Sequence, residues 1–293
     1  MRCNVGYCGL ILVILFSYSV QAKKQHVSQG TDCSDVKNKN PQASSGVYWI
    51  QPKGVRAPFE IYCEMQSDGG WTVFQRRSGP QVKFNRGWLA YKNGFGSLTQ
   101  DHWLGLSKVF ALTKAKTRNW ILRVDLWDHE GNTAFAEYSH FKLGNEKSGF
   151  KLHVKTYKGT AGDAIRGVYA GIDQNGFGFS TIDRDNDGCH PCIFGDIAVQ
   201  ECVASEGGGW WFSRCGSASL HGDYHPMGEH IGWASGLHWD SWKRQGSILS
   251  EGNQDDGQTN GVDTILSDII QHHVVLLCAS LKIFLLNYFD HFY

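Results

Sequence analysis

The sequence predicts an α+β domain built mainly of antiparallel strands, rich in loops and stapled by disulfides. Three observations lead there. Aromatic residues make up 13% of the chain and glycines number 35, a balance that favours sheet and turn over a helical bundle. Runs of strict apolar/polar alternation are separated by turn residues, which is the strand-and-hairpin signal. Seven of the nine cysteines sit behind an N-terminal stretch with the layout of a secretory leader, and an exported chain oxidises its thiols.

The leader comes first. Arg2 precedes the apolar run Leu10 to Phe16, and Ser19-Val20-Gln21-Ala22 places small residues ahead of Lys23-Lys24. This three-part pattern predicts a signal peptide over 1–22, cleaved after Ala22, and hence a secreted protein. The apolar core falls short of the roughly 20 residues that span a bilayer. Removing it takes away Cys3 and Cys8 and leaves seven cysteines, so at least one is unpaired or bonded to another chain. Residues 23–31 are a short polar lead with no room for coiled-coil heptads. An ordered domain is expected over 32–243.

Within it, the spacing of Trp103, Leu106 and Phe110 predicts a helix from Ser97 to Phe110, capped by Ser97 or Thr99. Trp120, Leu122, Val124 and Leu126 alternate with Ile121, Arg123, Asp125 and Trp127, predicting a strand. His129-Glu130-Gly131-Asn132 then turns the chain into a second strand, Thr133 to Leu143. A third run sets Phe150, Leu152 and Val154 opposite Lys151, His153 and Lys155. From Gly159 to Gly236 the chain is dense in Gly, Asp and Asn, and so long an irregular stretch is usually functional. Residues 244–293 read as an atypical tail, whose nativeness the sequence leaves open. Its apolar run Val274 to Leu286 carries Lys282 near the centre, which argues against a membrane span.

Charge excludes some partners. Basic and acidic residues balance at 28 each, so no global field points to nucleic acid or an anionic membrane. No Asn-x-Ser/Thr sequon occurs, so N-glycosylation is not expected. Asp183-Arg184-Asp185-Asn186-Asp187-Gly188 places carboxylates at every second residue before a glycine. Such a turn can converge oxygens on one hard cation, or can simply be a solvated acidic turn. The twelfth position from Asp183 is Phe194 rather than Glu, which rejects an EF-hand. Cys202 and Cys215 bracket Gly209-Trp210-Trp211-Phe212, and Cys33 and Cys63 could close a second loop. Cys189-His190-Pro191-Cys192 is open to a local disulfide, a redox pair or zinc, with no second ligand pair visible. Lone histidines such as His102 and His140 read as packing or surface residues, and no hydrolase or phosphate-loop motif supports catalysis.

Several stretches together resemble the fibrinogen C-terminal domain family, in its angiopoietin-like branch. They are Gly69-Gly70-Trp71-Thr72-Val73-Phe74-Gln75-Arg76-Arg77, Trp103-Leu104-Gly105-Leu106, Gly162-Asp163-Ala164, Phe179 to Asp187, and Gly209-Trp210-Trp211-Phe212 with Cys215. The long loop from Asp187 to Cys202 carries the likeness to the angiopoietin-like branch. The resemblance implies a small N-terminal subdomain, a central twisted and mainly antiparallel sheet, and a loop-rich calcium and ligand subdomain. It implies disulfides Cys33–Cys63 and Cys202–Cys215, and calcium held by the side chains of Asp185 and Asp187 and the carbonyls of Cys189 and Pro191. It places ligand contacts at Trp210, Arg214, Gly216 and Tyr224, and a cis peptide at Arg214–Cys215. Two departures stand out. Gly216 replaces the histidine that fibrinogen and ficolin-type lectins carry after that cysteine. The family's closing strand is not expected after Trp239-x-x-Trp242, since Gln245 onward reads as unrelated to it, and without that strand the sheet would expose unpaired edges.

The expected function is non-enzymatic: a secreted angiopoietin-like factor that binds a cell-surface receptor or matrix protein. The alternative is a ficolin-type, calcium-dependent lectin for acetylated glycans in innate immunity. An enzyme would rest on Cys189 and Cys192 alone.

Overall fold

The structure is a computed structural model that describes residues 28–115, 118–128, 130–167, 171–194, 197–224, 236–242 and 278–288. The signal peptide expected over 1–22, most of the polar lead expected over 23–31, and residues 243–277 lie outside the described residues.

The chain opens with helix α1 (Cys33–Lys39), whose N-cap Asp32 accepts a hydrogen bond from the Asp35 N–H. This satisfies one of the donors that every helix start leaves free, and the Arg118 guanidinium pairs with the same buried carboxylate. Strands β1 (Gly46–Ile50), β2 (Phe59–Gln66) and β3 (Gly69–Arg77) form an antiparallel meander. The disulfide Cys33–Cys63 ties α1 to β2. At Gly70 a Cβ would lie 2.1 Å from the Cys33 carbonyl oxygen, so only glycine lets α1 approach β3 this closely.

Helix α2 (Trp88–Asn93) leads to the short strands β4 (Phe95–Gly96) and β5 (His102–Trp103), then to helix α3 (Leu106–Thr113). The helix expected from Ser97 therefore starts nine residues later. Gly105 has φ 109°, which no right-handed helix contains, and His102 and Trp103 instead pair with Arg76 and Gln75 of β3. Strand β6 (Asn119–Asp128) follows with the expected alternation, burying Trp120, Leu122, Val124 and Leu126. Strand β7 (Thr133–Tyr138) ends short of Leu143 because His140 takes a left-handed φ of 53°. Lys142–Leu143 forms a separate strand, β8, paired with β9 (Leu152–His153). The third alternating run is thus only partly strand, since Phe150 also has a positive φ of 50°. A 3-10 turn at Glu146–Ser148 joins β8 to β9, and β10 (Tyr157–Gly159) pairs with β7.

Beyond β10 come β11 (Cys192–Phe194), β12 (Ile197–Val199), helix α4 (Cys202–Glu206), β13 (Ala218–Ser219) and β14 (His238–Trp239). The final strand, β15 (Cys278–Tyr288), corrects the reading of the tail. It lies between β3 and β6 in the central sheet, whose order is β1-β2-β3-β15-β6-β7-β10 with β5 and β4 appended to β3. Residues 278–288 supply the closing strand that the sequence reading judged missing, so the inner edges of β3 and β6 are paired. Leu285 is fully buried, and Leu286 lies against Trp71, Val73 and Ile121. Every ladder in this sheet is antiparallel, and with the four helices it makes the fold α+β.

An aromatic cluster joins the sheet to the loops that follow it. Trp103, about 1% exposed, meets Phe74, Tyr91, Phe179, Trp211 and His221 edge-on or stacked, with centroids 4.9 to 6.2 Å away. Such contacts add to the burial of the rings themselves.

Candidate functional site

The acidic turn is placed by bonds to distant parts of the chain. Asp183 accepts from the Trp88 N–H and from the Thr181 hydroxyl, each at 2.7 Å. Although burial opposes ionisation, these bonds hold its carboxyl below the ordinary value. Arg184 stacks over the Trp88 ring at 3.8 Å. Asn186 donates from its backbone to the Ser180 hydroxyl and from its side chain to the Phe179 carbonyl. Asp183 is thereby committed to the start of α2, which leaves Asp185 and Asp187 as the carboxylates on the far side of the turn.

Asp185 is exposed and Asp187 buried. Asp185 Oδ1 accepts from the Asp187 N–H at 2.9 Å. Both Asp187 oxygens are engaged: Oδ1 accepts from the Cys189 N–H at 2.8 Å and Oδ2 from the Cys202 N–H at 2.7 Å. One buried carboxylate thus joins the turn to the start of α4. Burial pushes its carboxyl up, and the negative charge of Asp185 adds to the shift, against the two amide bonds. A carboxylate pair in this state favours a nearby cation. The oxygen-only set of Asp185 and Asp187, with the Cys189 and Pro191 carbonyls in the same loop, suits a hard cation such as calcium.

The cysteines of this region form two bridges, Cys189–Cys192 and Cys202–Cys215. They lie against each other, with Cys189 Sγ 3.5 Å from Cys202 Sγ and 3.9 Å from Cys215 Sγ. All four residues are buried. With both pairs bridged, none of these four cysteines is left as a thiolate for the redox or zinc alternatives, and the local disulfide is the reading the structure shows. Beyond Cys192, β11 and β12 form a small hairpin that exposes Ile193 and Ile197, and Ile182 is exposed on the acidic turn.

The predicted ligand contacts divide. Trp210 is 2% exposed and belongs to the core, its ring 5.3 Å from Trp211 and 5.0 Å from His221. Arg214 is exposed and Tyr224 half-buried. Gly216 has φ 85°, and a Cβ there would sit 2.2 Å from Gln174 Nε2. Gln174 fills the space, donating to the Cys215 and Ala218 carbonyls at 3.3 and 2.8 Å. The peptide Arg214–Cys215 is not cis; the cis peptide among the described residues is His190–Pro191. The chain instead turns through left-handed φ values at Cys215 (60°) and Gly216 (85°).

Two residues that the sequence did not single out hold the loops to the sheet. His221 is fully buried, with Nδ1 at the Gly209 carbonyl and Nε2 2.8 Å from the Gln75 side-chain amide on β3. Burial lowers its pKa to about 3, with Arg77 adding, so the ring is neutral. Arg77 donates to the Gly222 carbonyl at 2.6 Å and lies over the Phe84 ring. His102, as expected, is a packed histidine with both ring nitrogens against backbone carbonyls. His140 is exposed.

Comparison with known proteins agrees with this architecture. Residues 29–253 match the family described as fibrinogen beta and gamma chains, C-terminal globular domain. Fibrinogen-like protein 1 from Rattus norvegicus is 40% identical over 220 residues, which cover 72% of this chain and 66% of that protein. Among solved structures, the fibrinogen-like globe domain of human ANGPTL2 is similar, with a TM-score of 0.68 and 26% identity, over 87% of this chain and 98% of that one. A lamprey fibrin D-dimer, complexed with the peptide ligand Gly-His-Arg-Pro-amide, gives a TM-score of 0.68 and 29% identity, over 92% and 78% of the two chains. The chain belongs to the fibrinogen C-terminal globular domain family.

Proposed function

We propose that this protein is a secreted, non-enzymatic recognition module of the angiopoietin-like kind. Its braced loops dock a cell-surface receptor or an extracellular matrix protein, and calcium is held at Asp185 and Asp187. The observation that carries this reading is a polar loop layer made rigid by two adjacent buried disulfides and by the Asp187 carboxylate, with Ile182, Ile193 and Ile197 exposed on it. Rigid loops that present apolar side chains lose little freedom on binding. The peptide complex of the related lamprey fibrin supports a protein ligand. Calcium, when bound, would neutralise the Asp185/Asp187 pair and add an oxygen-ligated tie to the loop, with the Cys189 and Pro191 carbonyls completing the donors.

The acetyl-lectin alternative loses support at Gly216. The pocket histidine of that reading has no room beside Gln174. Catalysis by Cys189 and Cys192 loses support because both are bridged and buried.

The test is binding of labelled secreted protein to cells and to matrix coatings, alongside the Ile193→Asp/Ile197→Asp variant. Saturable binding that the variant lowers about tenfold or more, as expected when interface anchors are lost, supports the reading. Equal binding by the variant, or retention only on acetylated resin, overturns it.

A further inference from the structure

The ribbon made by β8 and β9 is not used by the loop site, and its outer face is basic. Lys142 stands opposite His153, while Leu143 opposite Leu152 turns into the core. The ribbon continues past the ladder through Gly144 N–H to the Lys151 carbonyl and Lys155 N–H to the Ser139 carbonyl, both 2.8 Å. Lys151, His153 and Lys155 therefore alternate with the buried Leu152 and Val154. Outward residues on one strand stand about 7 Å apart and directly opposed ones about 5 Å apart. By this register Lys142 is the diagonal neighbour of Lys151 and Lys155, about 7–8 Å from each along the ladder, within about one Debye length, so their fields add.

Among the described residues no carboxylate lies within ion-pair distance of Lys142, Lys151 or Lys155. The nearest acids in the chain are engaged elsewhere: Glu146 with Lys92 and the Trp88 ring N–H, Glu137 with Arg123 and Lys158. All three lysines are exposed. His153 lies below its ordinary pKa, from burial first and then from Lys142 and Lys151, so both ammonium groups are felt at the ring between them.

We propose that this face, with Lys142, Lys151 and Lys155 as its contacts, binds a sulfated polysaccharide. The choice follows from what the patch lacks. Lipid insertion needs exposed apolar side chains beside the charges, and binding of single-stranded nucleic acid needs stacking aromatics. The exposed large apolar residues among those described are Val47, Leu89, Ile182, Ile193 and Ile197, none of them on this ribbon. A row of unpaired ammonium groups on a rigid ribbon fits a linear chain of sulfates, held by charge and by release of its counterions.

The experiment immobilises heparin as the probe and measures the full-length protein at about 0.15 M salt. Three variants are compared with it. Lys142→Ser/Lys151→Ser/Lys155→Ser should weaken binding about tenfold or more and flatten the salt dependence, since each lost contact releases fewer counterions. Lys39→Ser/Lys53→Ser/Lys83→Ser, elsewhere on the surface, should bind like the wild type. Lys142→Arg/Lys151→Arg/Lys155→Arg should retain binding, which separates loss of charge from loss of fold. Absence of wild-type binding overturns the proposal. So does an equal loss in the distant triple, or binding of phosphatidylserine vesicles or duplex DNA through the same lysines as tightly as heparin.

Discussion

The central sheet and the loop layer after residue 171 are held together by different physics. In the sheet, side chains alternate between buried and half-buried along β6, and antiparallel ladders pair the strands along the sheet. Its stability is spread over many small apolar contacts. In the loop layer the ladders shrink to two or three residues. A few strong ties replace them: two disulfides, the Asp187 carboxylate on two amides, and Asp183 on the start of α2. Distributed stability tolerates single losses. Concentrated stability does not, but it fixes an irregular surface that apolar packing could not shape.

The contrast can be broken hardest at Trp103, which belongs to both regions. Trp103→Ala should cost about 3–5 kcal/mol, the range for a buried aromatic. The two regions should then lose stability together, as one shared denaturant transition read by tryptophan fluorescence and far-UV circular dichroism. Separate transitions already in the wild type would show that the aromatic cluster does not couple them.

Removing Cys202–Cys215 with a double serine substitution should cost about 2–4 kcal/mol. The loss should be local. Hydrogen exchange should quicken across 187–215 while the β6 amides keep their protection. The matching substitution at Cys33 and Cys63 should instead loosen α1 against β2.

Asp185 and Asp187 sharpen the comparison at one turn. Asp187→Ala frees the Cys189 and Cys202 N–H groups and should cost about 1–3 kcal/mol in chelator, and more in calcium, where a proposed ligand is lost as well. Asp185→Ala should change stability little in chelator but abolish the rise in melting temperature on adding calcium. A calcium response that survives in Asp185→Ala removes the metal assignment.

The smallest effect is on pH. His221 is held neutral in the folded chain, with its pKa down at about 3, whereas the unfolded imidazole titrates near 6.5. Below about pH 6.5 the unfolded state binds the extra proton, so stability falls as the pH is lowered towards 3. In His221→Gln the slope of unfolding free energy between pH 7 and 5 should be shallower than in the wild type. Equal slopes would place the acid sensitivity elsewhere.

How much of this was legible in the sequence follows the same division. Strand β6 could be read because its alternation is written in consecutive residues. The cysteine spacings were legible too, since two short loops and a Cys-x-x-Cys leave few pairings. Strand β15 was not, because an apolar run without alternation looks the same whether it is a tail or a strand paired on both sides. The helix start was misplaced because the spacing of Trp103, Leu106 and Phe110 suits a helix, while Gly105 between them does not allow one. The loop layer was legible as a location but not as a mechanism. Asp183 reaches Trp88 across 95 residues, and the Gly209 N–H reaches the Tyr91 hydroxyl across 118. Ties of that span leave no local pattern. Trp210 was assigned to ligand for the same reason, since only the fold shows its ring closed in by Trp211 and His221.

The place of β15 has a consequence for assembly. The first three strands and the β6–β7–β10 group form the two flanks of the sheet, and in the hydrogen-bonded order they are joined by β15, which comes much later in the chain. During synthesis both halves can hairpin early, but each keeps one long bare flank until residues 278–288 have emerged. Sealing that seam joins residues some two hundred positions apart, the kind of remote pairing that slows folding and exposes sticky edges meanwhile.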